Sequence, residues 1–115
     1  MLNRKYRATR LDIEDTIKTG TPVSGVCLYA KISKKDRKNP SFAIVVSKKN
    51  EKTSVGRHLI KRKISGYIEE NLTKINLEFK KTVVFLIKNT QEPISYIEVK
   101  KDVDFILNKA QNQPS

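Results

Sequence analysis

The residues best suited to chemistry lie in two basic runs. Val46-Ser47-Lys48-Lys49 ends a β-branched stretch, and Arg57-His58-Leu59-Ile60-Lys61-Arg62-Lys63 opens a helical one, with Lys52 between them. The start of a helix carries the positive end of its dipole and unpaired N–H groups, so acids are the residues expected there. No acid stands between Lys52 and Lys63. An external anion offsets that arrangement, and a phosphate lying across the helix start meets both the dipole and the side chains. The chemistry to expect is phosphate recognition.

Groups for breaking bonds are harder to find. The chain carries no GxxxxGK[ST], HExxH, CxxC or G-x-S-x-G pattern. A single cysteine, Cys27, excludes an intramolecular disulfide and points to a reducing compartment. With His58 as the one histidine, a His/Cys zinc site within one chain is excluded too. Asp12, Glu14 and Asp15 fall together early in a helical segment, where they serve the dipole. His58 has no evident acid to orient it as a base and reads as a contact residue.

The distribution of charge supports a binding role. The 115 residues include 24 Lys+Arg against 12 Asp+Glu, a net charge of +12. Residues 1–66 hold 17 of the cations and 5 of the acids, whereas residues 67–115 hold 7 of each. Segregation of this kind suits a protein laying one face on a phosphate backbone, since each neutralised phosphate releases a counterion. No stretch reads as a signal peptide or a membrane span, so the expectation is a cytoplasmic polyanion binder.

Several elements must position these residues. Residues 1–10, with Arg4, Lys5, Arg7 and Arg10, read as a basic flexible arm. Leu11, Ile13 and Ile17 suggest a short helix closed by Gly20 as a C′ glycine. Val23–Ile32 reads as a strand with Val26, Leu28, Ala30 and Ile32 on one face and Cys27, Tyr29 and Lys31 on the other. Ser41–Lys48 reads as a second strand, and the polar turn between the two predicts an antiparallel hairpin. A helix starting near Thr53 or Ser54 follows, with Ile60, Ile64, Ile68 and Leu72 as its buried stripe beside Tyr67. Gly66 inside it serves close packing or backbone approach. Val83–Ile87 reads as a strand buried on both faces, and Asn89–Pro93 as a turn. Ser95 and Glu98 form a capping box for a last helix along Val99, Val103, Ile106 and Ala110. The domain is thus expected over residues 11–110, with a frayed tail over 111–115. The class is α+β, one sheet covered by helices.

The two basic runs, in this order and context, resemble the protein component of bacterial ribonuclease P. That family carries a V-S-K-K strand end followed by an R-N-R-x-K-R helix start; here they are Val46–Lys49 and Arg57–Arg62. Asp12-Ile13 with Gly20 is similar to the family's first helix, Thr82–Lys88 to its last strand, and Ser95 onward to its last helix. Three positions depart from the pattern. His58 stands where the family has asparagine, Leu59 where it has a second arginine, and Ser65 where it has a further arginine, and the loop between the motifs is one residue longer.

The resemblance implies a single αβββαβα domain whose central mixed sheet has a left-handed βαβ crossover, like the second domain of a small-subunit ribosomal protein. It adds a short first strand around Thr21–Ser24. It implies a protein subunit that binds the catalytic RNA of ribonuclease P and the 5′ leader of precursor tRNA, promoting 5′-end maturation without a hydrolytic site of its own. Mg²⁺ would be held mainly by the RNA. Lys48, Lys49, Lys52, Arg57, His58, Lys61 and Arg62, with Arg4, Arg7 and Arg10 of the arm, are the expected RNA contacts. Tyr29, Lys31, Ile13 and Ile17 are the expected lining of the leader cleft. Ile13 and Ile17 stand where the family has aromatic residues, as Lys31 does, so Tyr29 is left to supply a stacking ring. The protein itself is expected to be monomeric outside the complex. The alternatives are an RNA-binding module, ribosome-associated or chaperone-like, with no role in tRNA cleavage, and a binder of anionic membranes.

Overall fold

The computed structural model describes residues 6–34, 40–46, 54–72, 81–87 and 96–111. Their elements run α1 (Arg10–Thr19), β1 (Thr21–Ser24), β2 (Leu28–Ile32), β3 (Ser41–Val45), α2 (Ser54–Leu72), β4 (Thr82–Ile87) and α3 (Tyr96–Gln111). This is the αβββαβα order, including the short first strand.

The sheet is ordered β1-β2-β4-β3. β4 pairs antiparallel with β2 and parallel with β3. The hairpin expected between β2 and β3 therefore does not form, because β4 lies between them. Its run Val83–Phe85 is wholly buried, and a strand apolar on both faces takes a central place. β3 is left at the edge, joined to β4 through α2 as a βαβ unit. The ends of the three strands are stitched by polar groups. Ser33 N–H donates to the Thr82 carbonyl and Thr82 N–H to Ser33 Oγ, each at 2.9 Å. Ser41 Oγ lies 2.7 Å from Thr82 Oγ1.

A second correction concerns the long strand expected over Val23–Ile32. It is broken at Gly25–Cys27 into β1 and β2, which pair antiparallel from Thr21↔Ile32 to Ser24↔Tyr29. Val26 consequently sits in the turn, 66% exposed, and not on the core face.

Alternation along the strands sorts the sheet into two faces. Leu28, Ala30, Ile32, Phe42, Val83, Phe85 and Ile87 form one core cluster with Ile60, Ile64 and Ile68 of α2 and with Val99, Val103, Ile106, Leu107 and Ala110 of α3. Of the stripes read from helical periodicity, Ile60, Ile64 and Ile68 of α2 and Val99, Val103, Ile106 and Ala110 of α3 are in this cluster, with Tyr67 packed against it; the side chain of Leu72 lies outside the described residues. α1 packs on β4 and β2 instead. Val84 is fully buried yet stands outside the main cluster, which places α1 over the opposite face. The side of α1 turned to the sheet is marked by Thr16, its buried residue; Ile17 is 38% exposed. α2 and α3 are tied together by Asn71 Nδ2, which donates to Asp104 Oδ1 at 2.7 Å.

Gly20 ends α1 with φ −70°, not in the left-handed conformation of a C′ glycine. Its need for glycine is one of space: a Cβ there would press on the Thr16 carbonyl oxygen and lie 2.9 Å from that of Ile32. Residues 6–9 are not a free arm either. Arg7 bridges Phe42 in parallel, Ala8 N–H donates to the Phe42 carbonyl at 3.0 Å, and Thr9 caps α1 by accepting from Asp12 N–H at 3.2 Å. Arg4, the turns over 35–39 and 89–93, Ser95 of the capping box and the tail beyond Gln111 lie outside the described residues.

Candidate nucleic-acid interface

α2 begins at Ser54, and its first turn contains no acid. Arg57 and Lys61 stand one helical turn apart and are half-buried, on the flank next to the apolar stripe. His58 and Arg62, again one turn apart, are exposed beside them. Four of the expected contacts thus share one side of α2. The remaining face of the helix carries Val55 and Leu59, 81% and 53% exposed. Leu59 therefore interrupts the basic surface with an apolar side chain where the family's second arginine would stand.

Arg7 joins this group from a distance in sequence. The bridge to Phe42 carries it to the β3 edge of the sheet, and there it lines the same groove as Lys61. Arg10, at the start of α1, is paired with Glu14 at 3.3 Å on the surface; such a pair is worth at most about 1 kcal/mol and yields readily to a phosphate. Lys48, Lys49 and Lys52 lie outside the described residues.

The expected leader-cleft residues occupy the other side of the sheet. Tyr29 and Lys31 are both half-buried and share one face of β2. Register sets Lys31 opposite Val84 and then Ala43, and Tyr29 opposite Leu86 and then Val45. The first of these rungs is closed over at Val84, where α1 packs; Tyr29, Leu86 and Val45 of the second stay half-exposed. On α1, which packs on this side of the sheet, Ile13 is half-buried and Ile17 exposed. The cleft set and the α2 set are therefore on opposite faces and do not form one pocket.

One structural residue escaped the sequence reading. Asp102 of α3, 4% exposed, accepts three backbone N–H bonds from the turn that starts β2: Val26 at 2.9 Å, Cys27 at 2.6 Å and Leu28 at 2.9 Å. Its carboxylate fills the space where a Cβ on Gly25 would stand. An acid within a helix carries no local sign of such a role. Among the described residues, no group of three or more His, Cys, Asp or Glu could hold a metal, and no helix is long and apolar enough to cross a membrane.

Comparison with known proteins bears on the fold and the family. Residues 2–111 match the family model described as Ribonuclease P. No curated protein sequence matches. Three solved structures of the Staphylococcus aureus ribonuclease P protein share the fold. A mutant with defective mRNA degradation activity superposes with a TM-score of 0.72 at 18% identity, covering 93% of this chain and 89% of that one. A 2.0 Å structure gives a TM-score of 0.63 at 19% identity, covering 92% and 95%. A third gives 0.65 at 19% identity, covering 100% and 98%. Their likeness establishes the fold, and the family model, spanning nearly the whole chain, establishes the lineage: this chain belongs to the ribonuclease P protein family, the protein component of the ribonucleoprotein that matures the 5′ end of precursor tRNA.

Proposed function

We propose that the basic side of α2 is the surface that grips the RNA subunit, and that the half-exposed rung of Tyr29, Leu86 and Val45 receives the 5′ leader of precursor tRNA. The observation that carries this reading is the first half of α2: Arg57, His58, Lys61 and Arg62 on one side, beginning at a dipole end with no acid in the helix's first turn. Phosphates bound there meet fixed N–H groups and side chains together. On the other face, Tyr29 offers a ring for one unpaired base, with Leu86 and Val45 extending the apolar floor. Lys31, one rung along, places a cation near the leader backbone.

In this reading the polypeptide binds, orients and screens charge. Mg²⁺ held mainly by the RNA would activate water and stabilise the leaving oxygen. The test is reconstitution with bacterial ribonuclease P RNA and a precursor tRNA bearing a 5′ leader, at low Mg²⁺. The protein is expected to stimulate release of the leader and to favour precursor over mature tRNA. Absence of stimulation with several different RNA subunits overturns the reading, and RNA binding without preference for a leader favours a plain RNA-binding module.

A further inference from the structure

The crest of α2, between its basic side and α3, carries exposed apolar residues in a cationic setting. Val55 and Leu59 stand one turn apart, 81% and 53% exposed. Arg62 and Lys63, three and four residues beyond Leu59 and both exposed, flank it on either side. No acid occurs in α2 before Glu69. Lys63 reaches across to the first residue of α3, its Nζ 5.8 Å from the centre of the Tyr96 ring. The two helices run in the same direction, since the pairs Lys63–Tyr96, Glu70–Lys100 and Asn71–Asp104 rise together along both. Side chains on a helix lean toward its N-terminus, so the half-buried Tyr96 ring leans toward the turn of α2 that holds Leu59. The ammonium of an exposed side chain reaches one face of this ring, and that face is therefore open from outside.

We propose that this crest seats one unpaired base of a bound RNA. The base stacks on the Tyr96 face that Lys63 covers in the free protein, and Leu59 packs at its edge. Lys63 moves to the phosphate on one side, and Arg62 meets the phosphate on the other. An exposed cation–π contact is weaker than base–aromatic stacking, and the displaced ammonium gains an anionic partner, so the exchange favours the bound state. A single-stranded nucleotide joins a flat apolar face to flanking anions, the two chemistries that the crest is built to meet. An acidic peptide would answer the cations but not the ring. The proposal rests on the reading of α2 as an RNA surface and extends that surface over the crest to α3. Leu59 thereby has a role of its own: where the family's arginine would meet a phosphate, the leucine meets a base.

The test uses the intact chain carrying Tyr29→Leu, so that the opposite face of the sheet supplies no stacking ring. Two labelled probes of equal charge are compared, a short oligouridylate and an abasic ribose-phosphate oligomer of the same length. The oligouridylate is expected to bind at least about fivefold more tightly. It is also expected to shift the Leu59 methyl and Tyr96 ring signals in NMR spectra further than the abasic oligomer does. Tyr96→Leu should bring the two affinities together at unchanged salt dependence. Leu59→Ser, at an exposed position, should reduce their ratio at least about twofold and leave the fold intact. Equal binding of both probes, unmoved Leu59 and Tyr96 signals, or a preference that survives both substitutions overturns the proposal. So does a glutamate-rich peptide that shifts these signals where the oligouridylate does not. Cleavage stimulated by a protein with no Tyr96-dependent base preference would leave the α2 reading standing and remove this site. Such a preference without stimulation would do the reverse.

Discussion

The Asp102 carboxylate accepts the Cys27 N–H at 2.6 Å across 75 residues of sequence, and through its further bonds to Val26 and Leu28 it anchors α3 to the turn that launches β2. Removing it strands three backbone donors, each costing about 1–3 kcal/mol where water cannot replace the bond. Asp102→Ala is expected to lower unfolding stability by about 3 kcal/mol in urea titrations. A loss under about 1 kcal/mol would mean the turn re-solvates and that Asp102 is not its anchor. Gly25→Ala should be destabilising for the same reason, since its new methyl meets the carboxylate.

Gly66 faces the opposite situation. A Cβ built there meets nothing within 4 Å among the described residues, so neither close packing nor backbone approach among them requires the glycine. Gly66→Ala should raise stability by about 1 kcal/mol through helix propensity alone, seen as a higher melting temperature. If the same variant also weakens RNA binding, the glycine is kept for the approach of RNA to the helix.

Both residues show what could be read from the sequence. The stripes of α2 and α3 were legible, because Ile60, Ile64 and Ile68, like Val99, Val103 and Ile106, follow a local period. Arg57, Lys61 and Arg62 were legible as one set for the same reason. The strand order was not: a polar connection between β2 and β3 favours a hairpin locally, and only the burial of β4 on both faces places it between them. Arg7 meeting Lys61 at one groove, and Asp102 meeting the β1–β2 turn, depend on contacts between distant segments that no local pattern encodes.

Thr16 is a further case in which local pattern and packing diverge. The apolar residues of α1 suggest that Ile13 and Ile17 pack on the sheet, yet Thr16 is the wholly buried residue. Its Oγ1 has no hydrogen-bond partner among the described residues. Thr16→Val keeps the shape, replaces the hydroxyl by a methyl, and has similar helix propensity. It should stabilise the fold by about 1–2 kcal/mol. A loss of stability would point to a bound water that the hydroxyl needs.

On α2, Lys61 and Arg62 are neighbours in sequence, but the first is half-buried and the second exposed. If both hold phosphates, Lys61→Ala with Arg62→Ala should weaken binding to the ribonuclease P RNA and flatten the plot of log affinity against log salt by about one unit per lost contact. The double variant should melt close to the parent, because neither side chain belongs to the core cluster. Unchanged affinity and slope would move the RNA surface away from this helix.

The last prediction separates stacking from simple apolar contact on the other face of the sheet. Tyr29 pairs across the strands with Leu86, and α1 contributes Ile13 and Ile17 to that side, so this ring is the aromatic surface the cleft set contains. Base–aromatic stacking is worth about 1–3 kcal/mol per base. Tyr29→Phe keeps the ring and should leave the preference for precursor over mature tRNA nearly intact. Tyr29→Leu keeps an apolar side chain without a ring and should reduce that preference roughly fivefold or more. The readout is the ratio of the two tRNA affinities, which cancels any general loss of RNA binding. If Leu performs as well as Phe, the rung acts as an apolar shelf and the leader does not stack on Tyr29. If Phe is as damaged as Leu, the hydroxyl makes the contact, and the ring serves to carry it.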